Sequence, residues 1–211
     1  MTELSTDPRI ERSRAAILHA ALDHFAAQGY VGARLDDIAL EARVSKKTIY
    51  NVFGDKEGLF RAVIGQALRT AEDYSARTAA ALAGIESVEP QLRAAVLELA
   101  QAVLGGPVIR LRRLLIGELE RFPGFGAEYY DRAPGLVMRT LAATLDGLAQ
   151  RGRLRLADPA LAAEHLAFLV MGAGIDRALF RAPGDAPPDP ARIAADANAG
   201  FDAFLAAYAR R

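Results

Sequence analysis

The sequence predicts an all-α fold, and three features predict it. An acidic residue precedes proline four times, at Asp7-Pro8, Glu89-Pro90, Asp158-Pro159 and Asp189-Pro190. Proline suits the first helical position, where its missing N–H has no intrahelical partner in any case. The acid before it caps free amides and complements the positive end of the helix dipole. Apolar residues then recur at helical spacing, as in Ile10, Ile17, Leu18, Ala21, Leu22 and Phe25. Finally, no stretch of useful length alternates apolar and polar residues as a strand does, and Ala and Arg, both good helix formers, are abundant.

Breaking residues divide the chain into about nine helices. The first spans residues 7 to about 28, and Gly29 ends it as a left-handed cap. A short helix over 35–42, a tight turn at Arg43-Val44-Ser45 and a second short helix over 46–53 follow. Gly54 breaks that helix, and Asp55 caps a long one reaching Leu82. Further helices are predicted over 90–104, from 107 to about 122, and over 133–150, 159–180 and 190–210. The expected division is a DNA-binding unit over 1–58, with its helix-turn-helix at 35–53, and a helical regulatory and dimerisation unit over 59–211.

Bulk properties exclude more than they assign. Lys+Arg and Asp+Glu are both 26, so net charge argues for no partner, and any nucleic-acid case rests on local charge placement. There is no cysteine, which removes disulfides, thiolate catalysis and Cys-based zinc sites. There is no glycine-rich phosphate loop, nucleophile elbow or His/carboxylate ligand spacing, so neither an enzyme nor a cofactor or metal is expected. Residues 1–7 are short and polar, and no apolar run is long enough for a bilayer, so a cytoplasmic protein without a membrane partner is expected.

The segment 37–60, DIALEARVSKKTIYNVFGDKEGLF, carries the function. It has the length of a helix-turn-helix. Ile38, Ala39, Val44, Ile49 and Phe53 lock its short helices together, and Ser45 caps the second. Lys46, Lys47, Thr48, Tyr50 and Asn51 crowd the part of that helix that enters the major groove in this motif. Lys donates to guanine, Thr meets either base edge, and Asn pairs with adenine. Lys46 or Lys47 could equally hold phosphate. Lys56 stands where a helix N-terminus and a cation together bind phosphate. These three are the only lysines in the chain. Asp36 and Asp37 are expected to serve the first turn of their own helix.

At VSKKTIYNVFGDKEGLF the chain resembles the TetR/AcrR family of transcription regulators, over about residues 9–64. The resemblance implies a homodimer, a palindromic operator in double-stranded DNA and a small-molecule effector that releases the DNA. It also implies that Lys46, Lys47, Thr48, Tyr50 and Asn51 form the DNA-contacting face and that Lys56 is the phosphate-contacting lysine. The family usually has glycine at the position of Arg43, where the turn calls for positive φ. Arginine is less welcome there, and it is available to phosphate. At Val52 or Asn51 the family usually places His or an aromatic residue.

The segment 111–125, LRRLLIGELERFPGF, with Glu128-Tyr129-Tyr130, resembles the C-terminal domain of one subgroup of that family. The candidate effector contacts are Arg112, Glu118, Phe122, Tyr129, Tyr130 and His165. Leu111, Leu114, Leu115, Glu118 and Phe122 share one helical stripe, so Glu118 either lines a pocket or makes an internal ion pair with Arg112 or Arg113. His165 shares a stripe with Leu161, Phe168 and Gly172, in a pocket or in a core or dimer seam. His19 and His24 make no metal spacing. The last two helices, with Gly172, Gly174, Phe201, Phe204, Leu205 and Tyr208, suit a four-helix bundle across a two-fold axis. The function expected is a ligand-responsive repressor. The alternative is a sequence-specific regulator governed by a protein partner or by abundance.

Overall fold

The computed structural model describes residues 8–82, 88–182 and 185–209. Among these the chain forms ten helices: α1 Pro8–Gly32, α2 Leu35–Glu41, α3 Lys46–Phe53, α4 Lys56–Leu82, α5 Val88–Leu104, α6 Pro107–Gly117, α7 Pro123–Arg132, α8 Pro134–Gln150, α9 Pro159–Leu179 and α10 Pro190–Tyr208. The only β pairing among them is an isolated antiparallel bridge between Leu154 and Ala209. No single helix among the described residues is long and apolar enough to cross a membrane.

The predicted caps form where their chemistry is local. Asp158 accepts hydrogen bonds from the amides of Ala160 and Leu161, and Asp189 from that of Ala191. Asp55 accepts from the amide of Gly58 at 2.7 Å. The Asp7 cap lies outside the described residues. Glu89 does not cap α5, because that helix already starts at Val88 and Glu89 lies inside its first turn.

Three further expectations are corrected. The helix after Gly106 stops at Gly117, and a tenth helix, α7, begins at Pro123. Pro123 is thus the first residue of a new helix and not the terminator of the old one. Second, α1 breaks at Gly29 with positive φ as expected (φ 69°, ψ 174°), but it resumes for one turn to Gly32. Third, Phe201 and Phe204 are fully buried inside the chain and face no partner.

Two apolar clusters organise the molecule. The first joins α1–α3 and the first half of α4 to Leu111, Leu114 and Leu115 of α6 and to Phe125 and Tyr129 of α7. Its centre is aromatic: Phe25, Tyr30, Phe60, Phe122 and Phe125 lie with neighbouring ring centroids 4.9–6.0 Å apart. Such ring pairs add about 0.5–1.5 kcal/mol each beyond area burial. The second cluster is built from α5, α8, α9 and α10, with Tyr74 of α4 against it. The helix α4 runs through both, so the two halves share one rigid element.

Candidate functional site

The turn between α2 and α3 is closed by backbone bonds from Ala42 to Ile38, Arg43 to Leu40 and Val44 to Ala39. This geometry forces Arg43 to φ 56°, the only non-glycine positive φ among the described residues. The left-handed position inferred from the family's glycine is therefore present, and an arginine occupies it. Ser45 then starts α3 sharply. Its hydroxyl accepts from the Thr48 amide at 3.0 Å and shares a 2.8 Å hydrogen bond with the Thr48 hydroxyl.

On α3 only Ile49 is buried, locked under α1, α2 and α4. Lys46, Lys47, Tyr50 and Asn51 are exposed and Thr48 is half-buried, so the polar residues singled out from the sequence share one open face. Lys46 donates to Asp36 at 3.0 Å, so Asp36 also serves the next helix and not only its own first turn. Both side chains of this pair are about half exposed, so it is worth at most about 1 kcal/mol and yields readily to phosphate.

Lys56 is placed differently. Its ammonium donates to the Val31 carbonyl at 3.0 Å and lies 5.0 Å from the centre of the Tyr30 ring. Desolvation lowers its pKa, and Glu118 opposes that shift. Two of its three N–H donors remain for another acceptor.

Glu118 does not line the cavity that Arg112, Tyr129 and Tyr130 share. It caps α6, and its carboxylate accepts from the Tyr30 amide at 2.8 Å and lies 3.5 Å from Arg121. The internal ion pair expected from the sequence thus forms with Arg121 and not with Arg112 or Arg113, because the helix ends at Gly117 and the turn brings Arg121 round. Phe122 belongs to the aromatic cluster. His165 is exposed, with Nδ1 2.5 Å from the Tyr208 hydroxyl.

Arg112, Tyr129 and Tyr130 do come together, in a cavity of about 620 Å³ between α6, α7, α8 and α9. Leu115, Ile116, Leu119, Met138, Phe168 and Ile175 supply apolar wall, and only Arg112 and Asp176 carry charge. This is the size and character of a small-molecule site. A larger hollow of about 760 Å³ lies between α9 and α10. Two of its three arginines, Arg177 and Arg192, already pair with Asp196 at 2.9 and 2.8 Å, so its charge is largely met internally. The residues on α8 and α9 escaped the sequence reading because apolar residues facing a cavity carry the same periodicity as core.

The fold also gathers His19, Asp23 and Glu41, with ligand atoms within 4.8 Å of one another. Glu41 comes from α2, a proximity invisible in spacing along α1. Asp23 is already engaged by Arg110, and Glu41 lies 2.9 Å from His24. A guanidinium already paired with one of the group's carboxylates opposes a cation there.

Comparison with known proteins agrees with this architecture. Residues 17–63 match the family model described as bacterial regulatory proteins, tetR family. Residues 90–210 match the model described as AefR-like transcriptional repressor, C-terminal domain. A curated HTH-type transcriptional repressor of Streptomyces coelicolor is 46% identical over 54 residues, 26% of this chain and 28% of that protein. The regulator RutR of Escherichia coli is 43% identical over 74 residues, 32% of this chain and 35% of that protein. The chain thus matches about a third or less of the length of these curated relatives. A structure described as a TetR-family transcriptional regulator from Mesorhizobium loti superposes with TM-score 0.78 at 29% identity, covering 97% of this chain and all of that one. The flavonoid-responsive regulator FrrA superposes with TM-score 0.60 at 25% identity, covering 95% and 99%. With an all-helical architecture, a helix-turn-helix in its first half and the AefR-like model matched over most of the remainder, the chain belongs to the TetR family of transcription regulators.

Proposed function

We propose that the chain is a cytoplasmic, ligand-responsive repressor that binds a palindromic operator as a homodimer. Residues 1–58 would read DNA and 59–211 would dimerise and sense the effector. Arg43, Ser45, Lys46, Lys47, Thr48, Tyr50, Asn51 and Lys56 are assigned to the DNA, with Lys56 on phosphate through its remaining donors. Dimerisation is assigned to α9 and α10, where Leu161, Phe168 and Leu169 stand exposed on α9. A symmetric pair places two copies of α3 in successive major grooves, about 34 Å or a multiple apart.

One observation carries ligand control. Leu115, Ile116 and Leu119 wall the cavity, while Glu118, within the same few residues, grips the end of α1. An effector that displaces this segment acts on the unit that carries α3, by differential affinity for two arrangements. The similarity to a flavonoid-responsive regulator supports a small organic effector. Selection of DNA from a random duplex library tests the first half of the proposal, with enrichment of an inverted repeat expected. Fluorescence anisotropy on that site, with compounds screened by thermal shift, tests the second. Stabilising compounds that leave DNA affinity unchanged would refute the switch and favour control by a protein partner or by abundance.

A further inference from the structure

We infer that the effector is an amphipathic organic anion, a carboxylate on an apolar aromatic or aliphatic body, whose acid group is held by Arg112 and Tyr129. The inference rests on the cavity being the effector site. The argument starts from the charge of its wall. Arg112 is half-buried on α6 and faces a cavity otherwise almost wholly apolar. Among the described residues its guanidinium makes no ion pair, and its polar contact is one long bond, from Nε to the Tyr129 hydroxyl at 3.4 Å. Asp176, the other charged residue of the lining, is exposed and does not pair with it.

Several arginines of this protein pair with an acid, among them Arg61, Arg77, Arg93, Arg110, Arg121, Arg132, Arg177 and Arg192. Arg112 instead presents most of its N–H fork to an open hollow. A ligand body that fills the hollow strips water from this cation. A neutral ligand leaves the cation desolvated and unpaired, which is costly. A carboxylate converts the same desolvation into a charge-assisted, bidentate pair. Tyr129 is positioned to add to it: its oxygen accepts from Arg112, and its own hydrogen has no acceptor among the described residues. The apolar wall of Leu115, Ile116, Met138, Phe168 and Ile175 then takes the body of the ligand. Selectivity against neutral analogues thus follows from a cation left without a partner.

The test is calorimetric titration of the full chain with two matched pairs of probes: 4-phenylbenzoate against 4-phenylbenzyl alcohol, and decanoate against decanol. The acid should bind about ten-fold or more tightly than its alcohol. Arg112→Met should abolish that preference while alcohol binding stays equal or tightens, Arg112→Lys should retain part of it, and Tyr129→Phe should reduce it a few-fold. Thermal denaturation of each variant identifies any that fail to fold, and Arg112→Lys keeps the charge question answerable if Arg112→Met does. Equal binding of acid and alcohol, or a preference that survives Arg112→Met, overturns the anion assignment and leaves the cavity reading intact. Failure of all four probes to bind overturns the cavity reading itself.

Discussion

The carboxylate of Glu118 accepts a hydrogen bond from the backbone N–H of Tyr30 at 2.8 Å, across 88 residues of sequence. That amide is available because α1 breaks at Gly29. Glycine suits this point twice over: its φ is 69°, and a Cβ there would lie 3.3 Å from the Glu118 carboxylate. The Tyr30 ring is held in turn by Phe25, Phe60 and Phe122, with Lys56 over it. The proposed sensing element and the proposed reading element thus meet at one carboxylate.

Removing that carboxylate should therefore cost both stability and communication. Glu118→Ala leaves a partly buried N–H without its acceptor, a loss of about 1–3 kcal/mol. Glu118→Gln keeps an accepting oxygen and should cost less, about 1 kcal/mol or below. Thermal denaturation gives the stability, and amide exchange at Tyr30 and Val31 should accelerate selectively in Glu118→Ala. Exchange unchanged at these amides would show that the latch is not what protects them.

Arg43→Gly should behave in the opposite way. A side chain at φ 56° is strained by about 1–2 kcal/mol relative to glycine. Glycine gives back about 0.4–1 kcal/mol through its freer unfolded state. The net expectation is stabilisation by up to about 1.5 kcal/mol. If Arg43 meets phosphate, the same variant binds all DNA sequences more weakly, with a salt slope lower by about one. A more stable protein with poorer DNA affinity would identify an arginine kept for binding at the expense of the turn.

The features legible in the sequence were those whose cause is local. Ser45, Asp55, Asp158 and Asp189 cap helices within three residues of themselves, and each was readable from its neighbours. The positive φ at Arg43 was readable through the family's preference for glycine there. The helix α7 was missed because Pro123-Gly124 reads equally as a stop and as a start, and no acid precedes that proline. The partner of Glu118 was missed because it is a backbone amide in a distant helix, freed by a break whose depth spacing does not encode. Phe201 and Phe204 were assigned to a dimer face because a stripe shows only that something covers it; here α5 and α9 of the same chain do.

Tyr74 ties α4 to α5 through a 2.9 Å hydrogen bond from its hydroxyl to the Ala95 carbonyl. Burial raises its pKa, and the hydrogen bond with Thr78 opposes the shift. A phenol whose folded pKa exceeds its unfolded value of about 10 stabilises the fold fully below that value, and the contribution is lost as pH rises through the folded pKa. Tyr74→Phe should cost about 0.5–1.5 kcal/mol near neutral pH and flatten the decline in stability above about pH 10. Denaturant melts of both proteins across the alkaline range measure the difference.

Gly200 sets how closely α9 and α10 approach. A Cβ there would fall 2.1 Å from the Leu169 carbonyl oxygen and 2.8 Å from the Val170 amide nitrogen. These are backbone atoms, which cannot rotate away. Gly200→Ala should force the helices apart and destabilise the protein by about 1–3 kcal/mol or more. Because Leu169 is itself exposed on the proposed dimer face, the variant should also weaken self-association in analytical ultracentrifugation. Gly117→Ala is the control, since a Cβ there meets nothing within 4 Å, and it should be neutral or slightly stabilising. Equal behaviour of the two variants would mean that the α9–α10 pair tolerates separation.

The DNA contacts proposed for the exposed face of α3 fall into two kinds. Lys47 is exposed and makes no ion pair among the described residues, so Lys47→Ala should weaken binding to every sequence about equally and lower the salt slope by about one. Lys46→Ala should do the same to a smaller extent, because the free protein first gives up its bond to Asp36. Asn51→Ala and Thr48→Ala should shift the selected sequence, costing about 1–3 kcal/mol at a single base position while leaving non-specific binding in place. For Thr48 the base contact competes with the hydroxyl bond to Ser45, so its variant should also lose a little helix stability, which Asn51→Ala should not. Binding isotherms at several salt concentrations, on the selected site and on its single-base variants, resolve the two classes. If lysine and asparagine variants give the same salt slope and the same base profile, α3 is held against the backbone and reads sequence through the shape of the DNA.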